Sequence, residues 1–309
     1  KPDLVNVDAE KMLLCEKNDK KSTQEWSFQY YNAPLYLDRF EAIVALGKKA
    51  RKDSLAARVV LSALNDPFWK IRSMAIRTLE PIIDLYEAQI KIDLIALASS
   101  DVNSTVRAKA IIMLAEEFKG DDLKALFIRG TKDSSYLVLE ESLTALALID
   151  QALALEYCAT FEGEKNDGVI ETICYIYSSY GDDSHNDFFI SSAKRIKGYT
   201  RISFINDYEY YLTKNRSLSV VNQGVEVIKE MGINGGNKYV TRFAKQSLEN
   251  LNNEYKRRQH ELNKKIGNIN SSGNISPEDA QIMRTEEEQL KETISKISLA
   301  YDDVMKHLK

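Results

Sequence analysis

The sequence has few of the residues that build metal sites and disulfide frameworks. It contains 3 cysteines and 3 histidines among 309 residues. That number is too small for a disulfide-stapled fold, and it argues against a zinc or iron–sulfur site made by this chain alone. We therefore expect no metal or other cofactor to be bound by these residues.

Helix breakers and long apolar runs are also scarce. With only 5 prolines and 13 glycines, the composition favours long helices over a strand-rich fold. No apolar run approaches the roughly 18 residues that span a bilayer, so we expect no membrane span. Lys and Arg number 42 against 46 Asp and Glu, a net charge of −4. This weakly acidic balance argues against a protein that coats nucleic acid.

Residues 1–31 differ from the rest of the chain. Apolar and polar residues alternate over Leu4–Asp8, a pattern that predicts a β-strand. We interpret 1–31 as an extended leader, the edge of a β domain that precedes it. The chain opens at Lys1 with no Met and no signal peptide, which suggests a fragment, and the compartment is not predicted.

From residue 34 to 250 the apolar period becomes helical, and an internal repeat of about 33 residues appears. Three anchor positions define the repeat. The first is Arg39, Arg72, Arg107 and Leu139; the second is Ala42, Ala75, Ala110 and Ser142; the third is Leu46, Leu79, Leu114 and Leu146. In this register the small second anchor permits close helix approach, and the Leu one turn later lies on the same face.

An aspartate precedes the first anchor by about two helical turns in three of the units. These aspartates are Asp66, Asp101 and Asp133, and we expect each to cap a helix N-terminus. Amphipathic hairpins that bury their faces only against one another stack in a row. The sequence therefore predicts an all-α fold, a HEAT- or armadillo-like superhelix (solenoid) over residues 32–247.

The C-terminal residues 248–309 predict a charged antiparallel hairpin of long helices. The first helix is expected over 238–267, a polar loop over 268–274, and the second helix after the start signal Ser276–Asp279. Apolar residues recur every seven positions in both helices, the pattern of a coiled pair. They are Leu248, Tyr255, Leu262 and Ile269 in the first helix, and Met283, Leu290, Ile297 and Val304 in the second.

The most specific candidate site is a set of charged residues that we call the Arg–Asp ladder. It consists of Arg39, Arg72, Arg107, Asp66 and Asp101. In one interpretation each Arg binds the turn of a neighbouring repeat and holds the stack together. In the other, the guanidinium groups line the concave face and bind a carboxylate or phosphate.

Four further segments carry the residue types of a site but lack its spacing. Each is better explained as a loop, a helix end or core. Asp182–Asp187 has metal-binding side chains without a calcium-loop pattern; Gly232–Lys238 is a glycine-rich helix entry; His260 lacks a second His four residues later; Lys194–Tyr211 mixes basic and aromatic residues.

Two stretches carry a family resemblance. Residues 26–42 (WSFQYYNAPLYLDRFEA) and 65–75 (NDPFWKIRSMA) resemble the C-terminal part of bacterial zinc aminopeptidases of the alanyl-aminopeptidase type, the gluzincin clan. Residues 1–8 resemble the end of the β-sandwich that follows the catalytic domain there. The resemblance spans about residues 1–250 and implies a HEAT- or armadillo-like domain.

The same resemblance implies a non-catalytic role. The zinc motif His-Glu-x-x-His and the loop Gly-x-Met-x-Asn of that family do not occur in this sequence, so no catalytic or metal residue is carried over. Zinc is then expected only in an upstream catalytic domain. The partners would be that domain, the β-sandwich and a peptide substrate whose access the helical domain restricts. The alternatives are a free-standing adaptor that binds protein or peptide, and, less favoured, a nucleic-acid-binding repeat.

Overall fold

The structure is a computed structural model that describes residues 2, 4–14, 17, 19–214, 216–272 and 276–308. All regular structure in this part of the chain is helical. It comprises 15 α-helices and 4 short 3-10 turns, and no strand is found among these residues. The predicted all-α class is confirmed. No helix in the described ranges is long and apolar enough to cross a membrane.

The chain divides into two compact units, Lys1–Asp150 and Gln151–Lys309. This division falls inside the helical region that the sequence predicted as one domain over 32–247. The first unit contains α1 (Thr23–Asn32), α2 (Tyr36–Gly47), α3 (Ser54–Ser62), α4 (Trp69–Arg77), α5 (Ile83–Ser100), α6 (Ser104–Glu117), α7 (Lys124–Gly130) and α8 (Tyr136–Ile149). The second contains α9 (Gln151–Thr160), α10 (Asp167–Tyr180), α11 (Asn186–Ala193), α12 (Thr200–Leu212), α13 (Leu218–Ile233), α14 (Lys238–Ser272) and α15 (Pro277–Lys306).

In the first unit the repeat anchors lie on the even-numbered helices α2, α4, α6 and α8 or directly after them. The second-anchor residues Ala42, Ala75, Ala110 and Ser142 and all four third-anchor leucines are 0% exposed. Helices α2 and α4 contact each other, as do α4 and α6, and α6 and α8. Each even helix also packs on the odd helix that precedes it in chain order, or on the turn that follows α3. The small second anchors therefore lie in the close contacts that the repeat predicted.

The leader does not form the predicted strand. Residues 4–14 carry no regular structure except a turn over 7–10, and Asp8 adopts a positive φ of 54°. The Asp8 carboxylate accepts hydrogen bonds from the backbone amides of Met12 (2.9 Å) and Leu13 (3.2 Å) and so bends the chain. Among the residues that the structure describes, no strand lies beside the alternating residues to pair with them, and Val5 remains exposed.

The second unit has an aromatic core. Phe189 stacks face to face on Tyr208 with ring centroids 4.7 Å apart, and Phe204 and Tyr211 pack beside them. The Tyr208 hydroxyl donates to Asn186 at 2.8 Å, which satisfies the polar end of this buried ring. Helices α10, α12 and α14 contact one another in sequence, and α11, α13 and α15 do the same.

The C-terminal helices α14 and α15 pack against each other as predicted for a helical pair. The Ser276 side chain accepts from the Asp279 amide, and Pro277 is in the first turn, so the predicted start of α15 is confirmed. The predicted loop over 268–274 is wrong in part, because α14 continues to Ser272. Residues 273–275 of that loop, and the side chain of Ile269, lie outside the described residues.

Candidate functional site

The Arg–Asp ladder forms a set of two-pronged ion pairs in the first unit. Arg72 on α4 donates from Nε and Nη2 to the two carboxylate oxygens of Asp101, at 2.6 and 2.7 Å. The side chains are 10% and 3% exposed. Such paired geometry matches the fork of the guanidinium to both carboxylate oxygens. Asp101 lies between α5 and α6, so the pair joins two successive helical hairpins.

The same pair occurs on either side of it. Arg107 on α6 donates to Asp133 at 2.9 and 2.7 Å. Arg39 on α2 donates to Asp66 at 2.9 and 3.3 Å, and the Tyr30 hydroxyl adds a bond to the same carboxylate. Asp133, which follows α7, thus extends the ladder by one residue.

Backbone carbonyls connect the pairs into a continuous network. Arg72 Nη1 donates to the carbonyl of Asp66 at 2.8 Å, while the Asp66 carboxylate receives Arg39. Arg107 Nη1 likewise donates to the carbonyl of Asp101 at 2.7 Å. Each arginine therefore holds the loop before its own helix and the aspartate of the following hairpin.

The aspartates do not cap the helices as the repeat predicted. Each carboxylate instead accepts the backbone amide two residues further on, as Asp101 does from Asn103 at 2.8 Å. The N-cap positions belong to Phe68, Asn103 and Ser135. Each aspartate lies two residues before the N-cap, too early in the chain to cap the helix itself. The arginine occupies the remaining acceptor positions of its carboxylate.

The ion pairs shift the pKa values of Asp133 and Arg72. Burial opposes ionisation of Asp133, but the hydrogen bonds from Arg107 and from the Ser135 amide outweigh it, so the pKa of this carboxyl lies below its usual range. The hydrogen bond to Asp101 raises the pKa of Arg72. Because both ends of each pair are occupied, these guanidinium groups present no vacant fork to a ligand.

The outward side chains of the even-numbered helices in the first unit form a second feature, which we call the even-helix face. The position two residues before the first anchor is at least partly exposed in every repeat. Its occupants are Leu37, Lys70, Thr105 and Leu137. The same repeat position is therefore apolar on α2 and α8, basic on α4 and polar on α6, so the chemistry of the face changes from helix to helix.

A basic cluster lies on this face where α4 meets α6. Lys70, Ser73 and Arg77 occupy one side of α4 because they are three and four residues apart. Lys109 of α6 reaches across and donates from Nζ to the Ser73 hydroxyl at 2.7 Å. Ser73 is only 2% exposed. Burial, with the positive charges of Arg77 and Lys70, lowers the pKa of Lys109.

An acidic cluster lies on the same face where α6 meets α8. Burial raises the pKa of Glu141, and the charges of Glu140 and Glu116 raise it further. Glu116 is seven residues after Lys109 on α6, so about 10 Å of helix separates their backbone positions. The face therefore carries positive and negative charge at separate places.

An aromatic patch adjoins the basic cluster. The Tyr36 ring packs edge-on against Phe68 with centroids 4.8 Å apart, and Phe40 and Trp69 pack beside them. Phe68 is 36% exposed, and Lys70 Nζ lies 5.1 Å from the Trp69 ring centroid. The patch supplies apolar area next to the cations.

The remaining predicted segments are structural. Asp182 caps a 3-10 turn through the Ser184 amide, and its carboxylate lies 3.0 Å from His185 Nδ1. No group of three or more His, Cys, Asp or Glu among the described residues is arranged to hold a metal ion. The glycine-rich segment ends α13, whose last residue is Ile233. Within it, Gly232 lies close to Ala244 and Val304, where a larger side chain would not fit.

The basic and aromatic residues of 194–211 do not form a stacking surface. Phe204, Tyr208 and Tyr211 are 0% exposed and belong to the core of the second unit. Arg195 donates to the backbone carbonyls of Glu162 and Glu164. These three rings are therefore not accessible to the bases of a nucleic acid. Tyr199 and Tyr210 are exposed, but each contacts a neighbouring side chain, Tyr239 and Lys214 respectively. Further along the chain, Glu261, in the segment that begins like a zinc motif, pairs with Arg257.

Sequence reasoning missed the basic cluster. Lys70 and Arg77 flank the first anchor Arg72, and Lys109 follows the first anchor Arg107, so the repeat alignment contains the signal. The alignment does not show which side chains of two helices meet across their contact. That information comes from the hydrogen bond between Lys109 and Ser73.

Comparison with known proteins does not assign this chain to a family. No protein-family model matches the sequence, and no curated protein is significantly similar to it.

Proposed function

We propose that this chain is a non-catalytic helical-repeat domain that binds an extended protein or peptide segment on the even-helix face. The observation that carries the proposal is the ordered succession of α2, α4, α6 and α8, each in contact with the next. The Arg–Asp ladder fixes their register and uses its own charges for that purpose. Exposed positions of the face such as Lys70 and Leu137 are then left for a ligand.

The chemistry of the face fits a peptide. A peptide carries apolar, positive and negative groups along one extended backbone, and the face offers an aromatic patch, an acidic cluster and a basic cluster. Apolar contacts continue on α8, where Leu137 is 38% and Leu148 is 43% exposed. Stacked repeats are a common architecture for such extended surfaces.

Selection from a random peptide library tests the proposal. We expect binders selected on the wild-type chain to lose affinity at least tenfold for the variants Leu137→Glu and Leu148→Glu, because a charge replaces an apolar contact. The matched controls are Leu85→Glu and Ile92→Glu on α5, at positions that are 53% and 63% exposed. Binders that distinguish neither pair, or the absence of binders, would contradict the proposal.

A narrower form of the proposal makes the chain the C-terminal domain of a zinc aminopeptidase, with a HEAT- or armadillo-like superhelix that restricts peptide access to the catalytic cleft. The resemblance of residues 26–42 and 65–75 supports it. Those residues also form contacts between the first and second pairs of helices, since Tyr30 and Arg39 both donate to the Asp66 carboxylate. Zinc and the catalytic residues would belong to an upstream domain.

Two measurements test the narrower form. The purified chain supplied with zinc should release no amino acid from an aminoacyl-p-nitroanilide, and chelator-sensitive release would contradict a non-catalytic role. The reading frame upstream of the Lys1 codon should encode His-Glu-x-x-His. A frame without that motif would favour the free-standing adaptor over the aminopeptidase domain.

A further inference from the structure

The basic cluster of Lys70, Arg77 and Lys109 is a concentration of positive charge without a counter-charge. Among the described residues, no carboxylate forms an ion pair with any of the three. The three arginines of the Arg–Asp ladder in the same unit contrast with them, because Arg39, Arg72 and Arg107 each have an aspartate partner. The cluster therefore differs from the structural charges that surround it.

The cluster is held in place by a buried hydroxyl. Lys109 Nζ lies 2.7 Å from Ser73 Oγ, and Ser73 lies between Lys70 and Arg77 on the same side of α4. This contact holds the ammonium group of α6 near enough to Arg77 and Lys70 of α4 for their positive charges to lower its pKa, although like charges repel. An ammonium group has three donors, and the bond to Ser73 uses one of them, so two remain for a ligand.

Three cations suit a doubly charged ligand. A phosphate monoester carries a charge of about −1.5 to −2 at neutral pH and three acceptor oxygens. Lys70 and Lys109 can donate from ammonium groups and Arg77 from a planar fork, which together match those oxygens. A carboxylate has one charge and two oxygens, and so it would leave the cluster with excess positive charge.

We infer that the basic cluster of Lys70, Arg77 and Lys109 around Ser73 binds a phosphoryl group, carried by a peptide that lies on the even-helix face. This inference rests on the proposed peptide-binding function and names the modification that the peptide bears. The aromatic patch next to Lys70 then receives an apolar residue close to the phosphorylated one. Free inorganic phosphate would make the same contacts as a phosphorylated peptide, and the two measurements below distinguish them.

The first measurement is calorimetric titration of the full chain with inorganic phosphate and, separately, with acetate. We expect phosphate to bind more tightly than acetate, and Lys109→Gln to weaken phosphate binding about tenfold. Lys109→Arg should retain most of it. Arg58→Gln is the matched control, since it removes one exposed positive charge from the neighbouring helix α3. A melting curve of each variant establishes that it is folded.

The second measurement compares two degenerate peptide libraries that differ only in phosphorylation of a central serine. Enrichment of the phosphorylated library on the wild-type chain, lost on Lys109→Gln and kept on Arg58→Gln, supports the inference. Equal weakening of phosphate binding by Lys109→Gln and Arg58→Gln would overturn it, as would equal affinity for acetate and phosphate.

The two proposals fail in different ways. Binders that depend on Leu137 but not on phosphorylation leave the peptide-binding function standing and overturn the phosphoryl site. Phosphate binding that depends on Lys109 without enrichment of either library supports an anion site but overturns the peptide as its carrier.

Discussion

Arg72 and Asp101 join the second and third helical hairpins through two hydrogen bonds of 2.6 and 2.7 Å in a nearly buried environment. Removing one member of a buried pair leaves the other charge without compensation. We expect Asp101→Ala to lower the free energy of unfolding by about 3 kcal/mol, the low end for such pairs. Arg72 moderates the loss because it keeps its bonds to the carbonyls of Asp66 and Pro67.

Urea denaturation checks this value. The double variant Arg72→Met/Asp101→Leu should recover part of the lost stability, because apolar residues replace a buried pair at little cost, while the carbonyls of Asp66 and Pro67 lose their donor. Asp84→Ala is the control, since its pair with Arg51 is more than half exposed and should contribute no measurable stability. Equal effects of Asp101→Ala and Asp84→Ala would contradict a structural role for the ladder.

The repeat register makes a prediction at Ala110. This residue is 0% exposed in the contact region of α6, and a larger side chain would overpack it. Ala110→Leu should lower the free energy of unfolding by about 1–3 kcal/mol. The same change at the exposed Ala125 on α7 serves as the control. An Ala110→Leu chain whose thermal midpoint is as little changed as that of Ala125→Leu would contradict the register.

The leader makes a prediction at Lys11. Its Nζ lies 2.7 Å from an oxygen of Asp38, whose side chain is 1% exposed. Lys11→Met leaves that carboxylate with the Asn6 amide as its remaining leader contact, so stability should fall by about 1–3 kcal/mol. Lys20→Met, at an exposed position, should have little effect. Identical denaturation curves for the two variants would show that the leader does not contribute to the fold.

Asp207 in the second unit predicts a dependence of stability on pH. Burial, with the charge of Glu171, raises the pKa of this carboxyl from 3.8 to about 7. Between these values the unfolded chain ionises Asp207 while the folded chain keeps it protonated. The folded state then binds more protons, so the free energy of unfolding falls as pH rises through that window.

Asp207→Asn should remove this slope. The variant should be more stable than the wild type by about 2–4 kcal/mol at pH 8, and the two should differ little at pH 4. Glu171→Gln should reduce the slope without abolishing it, because burial is the larger cause of the raised pKa. Wild-type and Asp207→Asn chains with parallel stability profiles from pH 4 to 8 would contradict the assignment.

Sequence periodicity was sufficient for many of the helices. The anchors Ala42 and Ala110 are buried where the repeat predicted them, and α15 begins at the Ser276 cap. These features depend on residues within one or two helical turns of each other, so a short stretch of sequence contains all the interactions that determine them. The predicted strand at Leu4–Asp8 failed for the complementary reason: a strand requires a partner that the window does not contain.

The ladder shows where local reasoning stops. Asp66 and Arg72 lie six residues apart, and their spacing indicated a relation between them. In the structure the Asp66 carboxylate binds Arg39 of the previous hairpin, while Arg72 takes only its backbone carbonyl. Spacing within one repeat does not specify which hairpin supplies each partner.

The sequence by itself determined the helical class, the repeat register and the buried side of each even-numbered helix, because amphipathic periodicity and capping act over a few residues. Only the tertiary structure decided that Lys109 lies on Ser73 and that Asp207 lies near Glu171. These residues are more than thirty positions apart in each pair. They meet because neighbouring helices pack at a particular rotation, and that rotation depends on all the side chains in the contact.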